Sequence, residues 1–362
     1  MYTCCSTLNQ NLMKKSLKLL VVFILLGNIV FAQYPEGKVV YDHLYSALLE
    51  NQAGENPTRR VTVYLPPGYE KSEQRYPVIY FLHCFTCSDS LFIAYDHLDK
   101  LLDKAIATGK IRPVIWVMPD NYTLFRGSFY TNSSFTGKWA DFTAIDLVSY
   151  IDKNYRTIPV PESRGLAGHS MGGFGTLKIG MMFPEIFPNL YAMSPAVLGL
   201  YKDNGIKNQG FRRIQELTTR EEVITGYKEF GANSRVVLGQ AFSPNPDKPP
   251  FYADMPVTYE GNTLHIHYDI LELWNKNMPL GMVDSHIENL RKINALKIDW
   301  GRNDESEHIP FTCKMLSQKL EGLGIEHYAE EYIGTHINKL FTDDGRALND
   351  VLPFFDTYLK FE

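Results

Sequence analysis

Apolar and polar positions change their rhythm along this chain in ways that separate strands from helices. Over Lys38–Leu49 and Arg59–Leu65 they alternate loosely, with Asn56-Pro57 between the two segments and Pro66-Pro67-Gly68 closing the second. A period near two, bounded by turn residues, predicts an antiparallel opening pair at a sheet edge. Val78-Ile79-Tyr80-Phe81-Leu82 is instead apolar without a break, the pattern of a central strand covered on both faces. Val114–Met118 repeats that pattern and stops at Pro119-Asp120. Between them, Leu98, Leu101, Leu102, Ala105 and Ile106 form one helical stripe within Leu91–Ala107, which ends at Gly109. Phe142–Tyr155 reads as a further amphipathic helix with Asp141 as its N-cap. Short strands at Arg164–Ala167 and Leu190–Met193 enclose a helix over Phe174–Phe183.

Strands alternating with helices imply an α/β fold: a mostly parallel, doubly wound sheet with right-handed crossovers. The alternation breaks between Leu198 and Asn294. Helices around Phe211–Phe230 and Met282–Leu290 stand there on either side of the proline-rich Phe242–Met255. This is the pattern of a cap-like insertion, about residues 199–294, within one domain running from 33 to 362. Alternation then resumes with strand Ala295–Trp300, helix Phe311–Leu323, strand Glu326–Tyr332 and a closing helix Ala347–Lys360.

Against this frame, Gly168-His169-Ser170-Met171-Gly172-Gly173 falls on a strand-to-helix turn. Glycines at 168 and 172 remove side chains that would clash in so tight a bend. The Ser170 hydroxyl would then project clear of the sheet, facing the Met171 amide and the positive end of the new helix. A serine so placed needs a base within hydrogen-bond reach, and the base needs a carboxylate to orient it. On such a sheet the chain order is serine, acid, histidine, each on a loop at the carboxyl end of a strand.

His336, in Gly334-Thr335-His336 between the last strand and the last helix, has that address; His308, opening the preceding helix, fits less well. Asp304 sits in the loop after Gly301, with reach towards His336, whereas Asp299 lies inside the strand and reads as a structural acid. The loop after Val78–Leu82, His83-Cys84-Phe85, should supply a second oxyanion donor, the Phe85 amide, beside that of Met171. Asn121, Arg126, Trp139 and the cap are expected to shape the substrate pocket. His265, His267 and Asp269 alternate, which would put all three on one strand face as a metal-ligand set; an exposed polar face is the simpler reading, and no metal or other cofactor is expected.

Charge changes this picture little. The 362 residues carry a net charge of −5, with no basic run to suggest nucleic acid and no acidic tail. The N-terminus matters more. Lys14, Lys15 and Lys18 precede an apolar run from Leu19 to Ile29, and Val30-Phe31-Ala32 places small residues for a cut before Gln33. Residues 1–32 therefore read as a secretory signal peptide, too short for a membrane span; its loss would take the charge from −5 to −8. The chain would then be secreted or periplasmic. Three cysteines would remain, Cys84, Cys87 and Cys313, an odd set and no disulfide framework, with a local Cys84–Cys87 bridge open in an oxidising compartment.

Several of these stretches carry a family resemblance. Tyr64-Leu65-Pro66-Pro67-Gly68-Tyr69, Tyr76–His83, Asp146-Leu147 ahead of Tyr155-Arg156-Thr157, Gly168–Gly173, Asp304 and Gly334-Thr335-His336 together resemble the putative-esterase family of α/β-hydrolases. That family includes S-formylglutathione hydrolases, feruloyl and acetylxylan esterases, enterochelin esterases and mycolyltransferases. The resemblance covers about residues 38–360 outside the 199–294 region. It implies an α/β-hydrolase fold, with Ser170 as nucleophile, Asp304 as acid, His336 as base, and the Phe85 and Met171 amides as oxyanion donors. Cys84 departs from it, standing where the family usually has glycine. The expected activity is that of a secreted serine carboxylesterase acting on a small-molecule or oligosaccharide ester, acetyl or feruloyl groups on carbohydrate being the expected class. Acyl transfer to a sugar uses the same triad, and a non-catalytic carbohydrate-binding protein on this fold is the alternative of a different class. The signal peptide speaks against a cytosolic S-formylglutathione hydrolase.

Overall fold

A computed structural model describes residues 34–225 and 227–362, of which Glu36–Glu362 form one unit; the signal peptide expected at residues 1–32 lies outside the described residues. Eight strands make the central sheet: β1 Lys38–Tyr45, β2 Thr58–Leu65, β3 Val78–Leu82, β4 Ile115–Pro119, β5 Arg164–His169, β6 Asn189–Met193, β7 Ala295–Gly301 and β8 Tyr328–Tyr332. Their order is β1-β2-β4-β3-β5-β6-β7-β8. β1 and β2 pair antiparallel, as does β2 with β4, and every later pair is parallel. The opening hairpin follows the alternating pattern, and the central strands β3 and β4 follow the unbroken apolar one.

β3 shows why its sequence is apolar throughout. Val78, Tyr80 and Leu82 join the hydrophobic cluster on one face, while Ile79 and Phe81 join the cluster on the other. Successive side chains of a strand point to opposite sides, so a strand covered twice needs apolar residues at every position. All five are buried. The loops after β3, β5, β7 and β8 leave the same, carboxyl edge of the parallel set, and that edge carries the chemistry.

Several helices differ from their expected form. Leu91–Ala107 is two helices, Leu91–Ala94 and Leu98–Ala107, because His97 takes a left-handed backbone (φ 50°) between them. The helix expected over Phe142–Tyr155 begins at residue 139 and contains one π turn, Phe142–Asp146. Asp141 is thus inside the helix and not its cap. Asn132 performs the capping from the neighbouring short hairpin, its Oδ1 accepting from the Ala140 and Asp141 amides at 3.0 and 3.1 Å. In the cap, the stretch expected as one helical region is divided by a capping box at Thr219, which starts a separate helix Arg220–Ile224; a longer helix, Phe230–Phe242, follows.

The His265, His267 and Asp269 expectation also changes. The cap hairpin ends at Ile266, and His267 is the N-cap of the helix Tyr268–Asn277 that contains Asp269. The three residues share no strand face, because the chain changes from period two to helix between them.

Candidate active site

Ser170 stands between β5 and the helix Met171–Met182 in a backbone conformation, φ 59° and ψ −113°, that few L-residues adopt. The bend exists because its neighbours lack side chains. A Cβ on Gly172 would lie 1.9 Å from the Leu82 carbonyl oxygen, and one on Gly168 would lie 2.5 Å from the Gly172 backbone. The turn is held by the Ser170 amide donating to the Met193 carbonyl at 3.0 Å and by the Ala196 amide donating to the Ser170 carbonyl at 3.1 Å.

His336 reaches this turn from the loop after β8. Its Nε2 is 2.9 Å from Ser170 Oγ, and its Nδ1 is 2.7 Å from Asp304 Oδ2. With Nδ1–H donating to the carboxylate, Nε2 is left to accept from the serine hydroxyl. The Asp304 side chain is fully buried, and its second oxygen accepts from the Ser306 amide at 2.9 Å. Glu305 accepts from the His336 amide at 3.2 Å, which ties the two loops together. Asp299, by contrast, accepts from Tyr191 Oη at 2.7 Å and from Arg346 Nε at 2.9 Å, a buried network beneath the site and not part of it.

His169 takes a closer place than its position in the turn suggests. Its ring lies 4.6 Å from that of His336, and its Nε2 is 2.9 Å from the His336 carbonyl oxygen. Burial, reinforced by the neighbouring His336, pushes the His169 imidazole down to about 3. It is therefore neutral and donates Nε2–H to that carbonyl. Its contact with a loop 167 residues away carries no signal in the sequence.

On the other side of Ser170 the loop after β3 is held by His83. Burial lowers the basicity of this ring, and its two nitrogens lie 2.9 Å from the Asn121 amide and 2.9 Å from the Cys84 carbonyl. Nε2 accepts and Nδ1–H donates. Cys84 and Cys87 are joined by a disulfide, which encloses Phe85. Among the described residues no protein acceptor takes the Phe85 amide, and the Met171 amide opens a helix where N–H groups have no intrahelical acceptor.

Ser170, His336, Phe85 and Met171 border one cavity of about 250 Å³. Phe129, Val197, Phe230 and Ile309 give it an apolar wall; Asp203, Asn208, Ser234, Arg235 and His308 give it a polar one. Residues of the cap, among them Asp203, Asn208, Phe230 and Arg235, line the cavity. Asn121, Arg126 and Trp139 do not. Asn121 and Trp139 are fully buried: Asn121 supports His83, and Trp139 packs with Leu49 and Phe142. Arg126 contributes its carbonyl to the Thr86 amide. Polar or aromatic type near a loop was the signal that pointed to them, and it does not distinguish a wall from its support.

A family model described as "Putative esterase" matches residues 55–344 of the chain. The chain belongs to this esterase family. Among curated relatives, an esterase of Mycobacterium tuberculosis is 39% identical over 129 residues, covering 34% of this chain and 26% of that protein. An endo-1,4-beta-xylanase/feruloyl esterase of Xylanibacter ruminicola is 37% identical over 131 residues, covering 34% of this chain and 18% of its own. The match thus spans about a quarter or less of these relatives' lengths. Among solved structures, a ferulic acid esterase superposes with a TM-score of 0.60 at 21% identity, covering 91% of this chain and all of that one. An S-formylglutathione hydrolase from Agrobacterium tumefaciens gives 0.58 at 13% identity, covering 92% and 99%. These likenesses show the α/β-hydrolase fold. No helix among the described residues is long and apolar enough to cross a membrane.

Proposed function

We propose that this esterase-family chain is a serine carboxylesterase working through Ser170, His336 and Asp304. The observation that carries the reading is the unbroken hydrogen-bonded series from Asp304 through His336 to Ser170, ending at a cavity bordered by Phe85 and Met171. His336 Nε2 takes the Ser170 proton as Oγ attacks the ester carbonyl. The two amides receive the negative charge that develops on the carbonyl oxygen. Removing one such donor raises the barrier by about 2.7–4 kcal/mol. His336 then returns the proton to the departing alcohol, and water, activated by the same imidazole, releases the acid. Asp304 holds Nδ1–H, so that Nε2 keeps its lone pair towards serine.

Two further parts of the reading have separate support. Export is supported by the basic-then-apolar pattern of residues 14–32 and by the Cys84–Cys87 disulfide, a bond characteristic of oxidising compartments. An acyl group on carbohydrate, acetyl or feruloyl, is supported by the relative named a xylanase/feruloyl esterase and by the aromatic wall of the cavity. Hydrolysis of p-nitrophenyl acetate by wild type and Ser170→Ala tests the chemistry. The expected loss is on the order of 10³-fold or more, with unchanged circular dichroism; equal rates would sink the proposal. Release of acetate or ferulate from acylated xylo-oligosaccharides tests the substrate class.

A further inference from the structure

The helix Phe230–Phe242 carries one charged residue, Arg235, in an otherwise uncharged sequence. Arg235 is 3% exposed and borders the same cavity as Ser170 and His336. Among the described residues its Nε and Nη1 are enclosed without any hydrogen-bond partner. Burial lowers the guanidinium from its ordinary value to about 10, which still leaves it charged at neutral pH. The protein thus holds a cation away from water and gives it neither an ion pair nor an acceptor, an arrangement that costs stability.

Its neighbours do not remove that cost. Phe211 lies under the guanidinium at 5.3 Å, but a ring covers only the face, while the N–H groups point outward in the plane. Asp203, the nearest acid to act on Arg235, is already engaged: its Oδ1 accepts from the His308 amide at 2.7 Å and faces His308 Nδ1 at 3.0 Å. With Nδ1 so occupied, His308 Nε2 is buried and also without a partner, and it too belongs to the cavity wall. The wall of the cavity therefore carries a guanidinium whose Nε and Nη1, and an imidazole whose Nε2, find no partner in the protein.

We infer that the Ser170 site takes esters that bear a carboxylate, which Arg235 receives in the cavity while His308 Nε2 pairs with a hydroxyl beside it. A neutral acceptor would satisfy the N–H groups but leave the charge uncompensated; a carboxylate does both and matches the guanidinium fork. The carboxylate has two sources: the acyl part, as in a half-ester of a dicarboxylic acid, or the alcohol part, as in an acylated uronic acid. This inference rests on the carboxylesterase reading and refines its substrate.

Two matched pairs test it. The acyl pair is mono-p-nitrophenyl glutarate and its neutral twin p-nitrophenyl valerate. The alcohol pair is an O-acetylated methyl glucuronide and the corresponding methyl glucoside. In wild type, kcat/KM should favour the anionic member of one pair by about tenfold or more. That ratio should collapse in Arg235→Gln and recover only in part in Arg235→Lys, which keeps the charge and loses the fork. The pair that responds names the source. No anionic preference in either pair, or a preference that survives Arg235→Gln, overturns the inference. Calorimetric binding of glutarate and glucuronate, each against its uncharged analogue, provides a reading that needs no turnover. Arg235-dependent binding by an enzyme inert towards all four esters would uphold the anion site and sink the esterase reading; absence of binding would sink the site. Should Arg235→Gln not fold, the wild-type ratios and wild-type binding decide.

Discussion

At the scale of single residues, two aspartates five positions apart do different work because of what their oxygens face. Asp304 offers one oxygen to His336 and the other to a backbone amide; Asp299 is locked between Tyr191 and Arg346. Asp304→Asn should lower kcat by about 10³–10⁴-fold with little change in the melting temperature, since the amide holds His336 in the wrong tautomer. Asp299→Asn should do the reverse, weakening a buried pair with a loss of about 3 kcal/mol in denaturant melts while leaving activity per folded molecule intact. A melt showing Asp304 as the stabilising residue of the two would contradict these assignments. Ser170, His336 and Asp304, each expected on a loop after a strand, lie within hydrogen-bond reach of one another through His336. Asn121 and Trp139 were misread as pocket residues because residue type does not report burial, and Arg235, the lone charge of Phe230–Phe242, was not considered as a cavity residue although it lines the cavity.

At the scale of elements, the site depends on two turns that meet. Gly172 has no room for a methyl group against the Leu82 carbonyl, so Gly172→Ala should displace the elbow from the loop after β3 and give little soluble protein. That loop is tied on one side by His83 and on the other by the Cys84–Cys87 disulfide around Phe85. Loss of the bridge frees the loop carrying the proposed oxyanion donor. Cys84→Ser should therefore lower kcat, by up to the roughly 10²–10³-fold attributed to one donor, and spare KM. A fall in KM affinity with kcat unchanged would place the disulfide elsewhere in the mechanism. The buried central strands were legible from pattern, but the long helix Phe230–Phe242 was not, nor were helix starts: the helix from residue 139 is capped by Asn132, a side chain from another segment. Local sequence at Asp141 carries no trace of that competition.

At the scale of the whole molecule, the doubly covered sheet could be read from the strands, whereas the cap could not, since its short helices and hairpin gain their order from packing on the sheet and on each other. One buried acid away from the triad gives the protein a pH-dependent stability. Glu55 is 6% exposed, and both carboxylate oxygens face the Leu124 amide. Burial pushes it up from 4.5 to about 7. The folded state thus holds the Glu55 proton more tightly than the unfolded chain. That stability is complete below about pH 4.5 and is lost as pH rises to about 7. Glu55→Gln should accordingly be more stable than wild type at pH 8, by about 3 kcal/mol, with the difference closing near pH 4.5. A difference independent of pH in paired denaturant melts would show that Glu55 does not titrate in this window.

The central claim is that Ser170 forms a covalent acyl intermediate with an ester. Acid-quenching the enzyme during turnover of p-nitrophenyl acetate, followed by peptide mass spectrometry, tests it directly. The expected result is an acetyl adduct on the peptide containing Ser170, formed in a burst and absent from Ser170→Ala. Turnover by wild type with no adduct at Ser170, or the same adduct on another residue in Ser170→Ala at undiminished rate, would contradict the account.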